Sequence, residues 1–154
     1  MPKKPTPADA TLFLTLYDLR REAVIRKARN WWFAEFWPEN ADDFMKVAQA
    51  VGTQENNWLR QVPSYWELAA SLVLHGTVNE TLFLEPAFSG EMFFIFAKIH
   101  PFLKDVRERT QNPRMLANVE KVITKSKAGQ KRLKLFEQRM AARRKQTKKG
   151  AVRT

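Results

Sequence analysis

The sequence predicts an all-α protein, a compact bundle of about five helical segments with a basic C-terminal helix and tail. Two observations favour this fold class. Apolar residues recur at the three- and four-residue spacing of helices, and no stretch shows the sustained alternation of strands joined by hairpin turns. Residues that start and stop helices also recur along the chain, separated by short turns, as in a helical bundle.

Capping residues delimit the predicted segments. The first helix is expected to start at Thr6 as N-cap, with Pro7 at the first helical position, and to run to Phe36. The second has Asn40 as N-cap and Gly52 as C-cap. Later starts or restarts are predicted at Thr53, Asn79, Glu91 and Asn112, with ends at Gly76, Arg109 and Arg144. Pro63 either kinks the third segment or divides it in two.

Composition is consistent with one folded domain. The chain has 154 residues, 44% of them hydrophobic, which is enough for a real core. We assign residues 1–128 to a helical bundle domain and residues 129–154 to a basic helical extension with a disordered tail. The absence of cysteine excludes disulfides, zinc-thiolate sites and thiol nucleophiles.

The chain shows no sign of a targeting or membrane segment. The N-terminal apolar run is broken by Thr15 and Asp18 and lacks a small-residue cleavage site. The longest apolar run, Met92 to Ile99, is interrupted by Lys98 and is far shorter than the roughly 20 residues of a membrane span. We therefore expect a soluble, cytoplasmic protein with no transmembrane segment.

The segment "RNWWFAEFWPEN" concentrates five aromatic residues at the end of the first predicted helix. On a helical wheel Trp31 continues the apolar stripe, but Trp32, Phe33 and Phe36 project onto the polar side. Either this end is buried among other helices, which we favour, or it presents an aromatic patch to a partner. Trp37, beside a proline, is the residue expected to stay partly exposed.

The apolar stretch "YWELAASLVL" is typical of a central, fully surrounded helix, and Glu67 is its single charge. A buried carboxylate is costly without a partner. Arg20 and Lys27 are the cations within the apolar arc of the first helix, so we predict that Glu67 forms a buried structural pair with one of them. The alternative makes Glu67 a general base with a raised pKa.

Recognisable catalytic chemistry is missing. His75 and His100 have no acidic or histidine neighbour at helical ligand spacing, and no glycine-rich phosphate loop occurs. "FSGEM" lacks the context of a nucleophile elbow. We predict a protein that is not an enzyme, with no catalytic residues, no metal site and no cofactor.

The stretches "YWELAASLVLHGTVNETLFLEP" and "HPFLKDVRERTQNPRMLANVEKVI" resemble a family of uncharacterised bacterial all-helical domains of unknown function. An apolar helix ending at glycine, a short acidic turn and an Asn-Pro helix start carry the resemblance, over about residues 64–123. The resemblance implies a helical fold and assigns no activity to the chain. The basic arm lies outside it.

The net charge of +11 is concentrated at the C-terminus. Residues 1–120 hold 14 Lys and Arg against 15 Asp and Glu, whereas residues 121–154 hold 13 against one, Glu137. Leu133, Phe136 and Met140 form an apolar line at helical spacing, Gly129 is a potential hinge, and the chain after Met140 is expected to be frayed or disordered.

Three functional hypotheses compete for this arm, beside a plain solvated tail. It contacts the phosphates of a nucleic acid or another polyanion, without base-reading motifs. It lies on an anionic membrane surface, or it packs against a protein partner or a second copy of the chain. We favour nucleic acid without strong sequence specificity. The anion-binding residues would be Lys131, Arg132, Arg139, Arg143, Arg144, Lys145, Lys148 and Lys149.

Overall fold

The computed structural model describes residues 3–151, which form helices, turns and no strand. The all-α prediction is confirmed, but the helices are shorter and more numerous than the five segments expected. In chain order they are α1 Pro7–Leu19, α2 Ala23–Ala34, α3 Ala41–Gln49, α4 Gln54–Leu74, α5 Glu80–Phe83, α6 Pro86–Ile99, a 3₁₀ turn His100–Phe102, α7 Leu103–Arg109, α8 Ala117–Thr124 and α9 Lys127–Ala151.

The predicted first helix is two helices with a break between them. Its start is as predicted, because Thr6 accepts a hydrogen bond from the Asp9 N–H and Asp9 bonds back to Thr6. At the break, the Glu22 carboxylate accepts from the backbone N–H groups of Val24 and Ile25 and so caps a new helix. No proline or glycine marks this position in the sequence.

Two helix boundaries predicted at Pro63 and Asn112 are absent from the structure. Pro63 neither ends nor divides α4, which is continuous. Asn112 does not open a helix: its side chain accepts from the Arg114 N–H in a turn, and α8 begins only at Ala117. The intervening Leu116 is left-handed, with φ of 56°.

The core is built around α6, which is the fully surrounded helix. Every residue from Glu91 to Ile99 is buried, including Phe93 and Phe96. The prediction had given this role to α4, but Leu68 of α4 is 56% exposed. α4 instead packs by one face against α2, α3 and α8.

α9 lies along α6 and α8. Its apolar line is turned into the bundle: Leu133 and Met140 are buried and Phe136 stacks on Phe93 with ring centroids 5.9 Å apart. Gly129, the predicted hinge, lies within the continuous helix α9, and a Cβ there would overlap the Ile123 carbonyl oxygen. α9 continues to Ala151, where a frayed tail was predicted; residues 152–154 lie outside the described part.

Candidate functional site

The aromatic segment is mostly core. Trp31, Trp32 and Phe36 are buried, and the Trp32 Nε1–H donates to the Trp58 carbonyl at 3.1 Å. Phe33 is the most exposed of the five, at 38%, and stacks on Phe94, while Trp37 is half-buried. The prediction of burial is confirmed for the centre of the segment, so Trp31 and Trp32 present no surface for stacking bases.

Lys98 is fully buried beneath this segment and has no carboxylate partner among the described residues. Its Nζ donates to the carbonyls of Trp32 and Phe36, the latter at 2.6 Å, and lies 3.7 Å from the Trp37 ring centroid. Burial lowers the pKa of Lys98 to about 6, and the nearby cations Arg143 and Arg144 act in the same direction. Lys98 Nζ therefore satisfies backbone carbonyl groups at the end of α2, and its lowered pKa favours the neutral amine over the ammonium.

Glu91 is the buried carboxylate that organises the cations of the first two helices. Its Oε2 accepts from Arg29 Nε at 2.5 Å, its Oε1 accepts from Trp66 Nε1 at 2.9 Å, and Arg20 lies 3.8 Å away. Arg20 also donates to the Phe88 carbonyl. Burial lowers the pKa of the Arg20 guanidinium, against the attraction of Glu91. This is a structural cluster, because its charges compensate one another inside the core.

The predicted pairing of Glu67 with Arg20 or Lys27 is wrong. The Glu67 carboxylate accepts from the backbone N–H groups of Asn118 and Val119 at 2.9 and 3.1 Å, at the start of α8. Lys27 is exposed. The N-terminus of a helix offers unpaired N–H groups and a favourable dipole, so Glu67 needs no cation there.

Part of the predicted anion site serves instead to dock α9. Arg132 donates to the Leu84 carbonyl and to Ser89 Oγ, and burial lowers its pKa. Arg144 donates to the Pro38 carbonyl at 2.7 Å, and Arg143 lies over the Trp37 ring. The contacts of Arg143 and Arg144 link α9 to the bundle beyond Met140, where its apolar line ends.

The remaining cations of α9 are exposed. Lys148 forms an ion pair with Glu39 at 3.0 Å, and Arg139 lies against Phe136. The side chains of Lys131, Lys145 and Lys149 have no hydrogen bond or ion pair within residues 3–151.

Lys127 and Lys134 are also exposed on α9, and neither was among the predicted anion-binding residues. At 100° per residue, five lysines fall within an arc of about 60° on the side of α9 opposite the apolar line. We call this set the lysine face; it consists of Lys127, Lys131, Lys134, Lys145 and Lys149. The signal was present in the sequence as helical spacing, but only the docked direction of α9 shows that this side faces solvent.

The acid that could neutralise the lysine face lies elsewhere. Glu137, the one acidic residue after position 120, contacts His100 Nδ1 at 2.5 Å on the docked side of α9.

Among the described residues no three acidic or histidine side chains gather in a way that could hold a metal ion. None of the helices described is long and apolar enough to cross a membrane.

Residues 5–126 match the model of a family described as a domain of unknown function, DUF4760. The chain therefore belongs to this family, and the match extends well beyond the residues in which the resemblance was first visible. α9 begins immediately after the matched part. Comparison with curated proteins gives no match, and neither does comparison with solved structures.

Proposed function

We propose that this protein is a non-enzymatic helical domain that binds nucleic acid through its phosphates, with little sequence specificity, using the lysine face of α9. The observation that carries the proposal is the set of five exposed lysines on one side of a docked helix, without carboxylate partners in the described chain. A rigid array of this kind concentrates positive potential along a line.

The dimensions of the lysine face suit a nucleic-acid backbone. At 1.5 Å per residue, Lys127 and Lys149 are separated by about 33 Å along the helix axis. Duplex DNA carries about one negative charge per 1.7 Å of axis, so many phosphates fall within that length. The sequence contains no base-reading motif, and the central tryptophans are buried, which favours contact with phosphates over recognition of bases.

The other hypotheses for the arm depended on its apolar line. Insertion into a membrane surface, or packing against a partner helix, would need Leu133, Phe136 and Met140 to be accessible. Leu133 and Met140 are 5% exposed, and Phe136 packs against the core. The structure therefore favours a contact made by charge.

A second candidate function, a protein–protein interaction module, is favoured by a different surface. α1 exposes Leu12, Leu14 and Leu19, and Leu14 is 66% accessible. Leu12 and Leu19, seven residues apart, share one side of the helix, and exposed apolar side chains on one side are typical of interaction sites, including those between copies of one chain. Sedimentation velocity over a range of concentrations tests self-association: we expect it to weaken in a Leu12→Gln, Leu19→Gln variant.

Fluorescence anisotropy of labelled mixed-sequence duplex and single-stranded oligonucleotides tests the main proposal. In the lysine-face variant all five lysines become alanine, which retains helix propensity. The matched control removes five exposed lysines outside α9, namely Lys3, Lys4, Lys27, Lys104 and Lys121. Both variants therefore have the same formal charge.

At low salt we expect the lysine-face variant to bind at least about a hundredfold more weakly than the native chain. The control variant should keep most of the native affinity, since its lysines do not form one array. Equal losses in both variants would show that net charge alone determines binding and would contradict the proposal.

A further inference from the structure

A cleft between α3, α4 and residues 110–118 is distinct from the lysine face. Its volume is about 640 Å³, within the range typical of small-molecule sites. Its walls include buried apolar side chains, and these are Trp32, Phe44, Leu59, Ile99 and Leu116. An apolar molecule that displaces water from such walls gains the free energy of burying its own apolar surface.

One buried polar group lines the cleft without a partner for its oxygen. Asn56 is only 3% exposed, and its Nδ2 donates to the carbonyls of Val47 and Ala48 at 3.0 and 2.9 Å. Both amide hydrogens are thus directed at the end of α3. No donor within residues 3–151 reaches Oδ1, so this oxygen is available to accept a hydrogen bond from an N–H or O–H group of a ligand.

The rim of the cleft offers positive charge. Arg60 donates to two neutral acceptors of its own helix, the carbonyl of Asn56 and Oδ1 of Asn57. The Arg114 guanidinium has no hydrogen bond or ion pair in the described chain. Glu67 is the acid on this rim, but both of its oxygens already accept from the start of α8. Two guanidinium groups therefore remain for an anion.

The wall formed by residues 110–118 is held in place before any ligand binds. Arg107 donates through Nε and a terminal nitrogen to the Met115 carbonyl at 3.0 and 2.8 Å, and it also pairs with Glu120. Gln111 and Leu116 both have left-handed backbones, with φ of 52° and 56°. A fixed wall lowers the entropic cost of binding.

We propose that this cleft binds a small amphipathic anion: a molecule with an apolar, ring-sized body, one N–H or O–H donor and one acidic group. The body lies on the apolar walls, the donor bonds to Asn56 Oδ1, and the acidic group lies between Arg60 and Arg114. The proposal is independent of nucleic-acid binding, because it uses no residue of α9.

Two dyes form a matched pair of probes for the native full-length chain. Anilinonaphthalene sulfonate has aromatic rings, an N–H donor and a sulfonate, and its neutral parent phenylnaphthylamine lacks only the sulfonate. Fluorescence titration gives the affinity of each dye. One variant combines Arg60→Ala with Arg114→Ala, and a second, Ala48→Trp, fills the cleft. Arg21→Ala with Lys104→Ala is the charge-matched control, and circular dichroism checks that each variant is folded.

We expect the sulfonate dye to bind the native chain more tightly than its neutral parent. The Arg60, Arg114 variant should lose about tenfold in affinity for the sulfonate dye only, and Ala48→Trp should abolish binding of both dyes. The charge-matched control should bind as the native chain does. No binding to the native chain, or native affinity in the Arg60, Arg114 variant, would overturn the proposal. Loss of binding in Leu68→Ser would also overturn it, because Leu68 lines a neighbouring groove that shares only Arg60 and Ser64 with the cleft.

Discussion

The two terminal helices, α1 and α9, relate to the bundle in opposite ways. α1 is rich in leucine yet leaves Leu12, Leu14 and Leu19 exposed. α9 has few apolar residues, but Leu133 and Met140 are both 5% exposed. The apolar residues of α9 share one line, whereas those of α1 are spread around the helix. Burial therefore follows the spacing of apolar residues more closely than their number.

α1 and α9 also differ in the chemistry of their solvent-exposed surfaces. The solvent side of α9 carries the lysine face and suits an anionic partner. α1 instead exposes leucine side chains, which suit contact with a protein surface. One chain thus offers different chemistry at its two ends.

The largest effect on stability should come from truncating a side chain in the apolar line of α9. Leu133→Ala removes a buried side chain and should reduce the free energy of unfolding by about 2 to 5 kcal/mol. Leu14→Ala, on the exposed side of α1, should change it by less than about 0.5 kcal/mol. Urea denaturation of the two variants measures this contrast, and equal losses would mean that α1 is as firmly docked as α9.

A smaller loss is expected at the first turn of α9. Gly129→Ala places a methyl group against the Ile123 carbonyl, a backbone atom that cannot rotate away, and should cost about 1 to 3 kcal/mol. Gly150→Ala is the matched control, since a Cβ there meets no other atom and alanine favours a helix. Thermal unfolding should show a lower Tm for the first variant only; unchanged Tm values in both would contradict the close contact.

Over a single pH unit, the expected effect is a smaller one: Lys98, at the far end of the α9 contact, should make the free energy of unfolding depend on pH. In the unfolded chain Lys98 keeps its proton up to its ordinary pKa of 10.5, but in the folded chain burial lowers the pKa to about 6. Between these values the unfolded state binds more protons, so the free energy of unfolding rises with pH, by up to about 1.4 kcal/mol per unit.

Lys98→Met should remove this contribution, and Lys104→Met, at an exposed position, should not. Denaturation curves at several pH values from 6 to 9 provide the measurement. If the free energy of unfolding of Lys98→Met rises with pH as steeply as that of the native protein, Lys98 stays charged in the folded protein.

Local chemistry explains which features the sequence could predict. Thr6 and Asn40 are N-caps as predicted, and helices follow the predicted starts at Thr53 and Asn79, because a cap depends on residues within one turn. Asn112 carries a similar local signal but forms a turn instead. The partner of Glu67 could not be predicted, since it depends on which helix end crosses α4. The helix break before Glu22 has no local marker, and Lys98 could only be recognised as a buried amine once α2, α6 and α9 were placed together.

The salt dependence of duplex binding tests the lysine face most directly. If five lysines contact phosphates, log affinity should fall against log salt concentration with a slope of about −4.5. The slope for the lysine-face variant should be close to zero, and that for the control lacking five lysines outside α9 should stay near the native value. Equal slopes for the native chain and the lysine-face variant would show that the phosphate contacts lie elsewhere and would contradict the account.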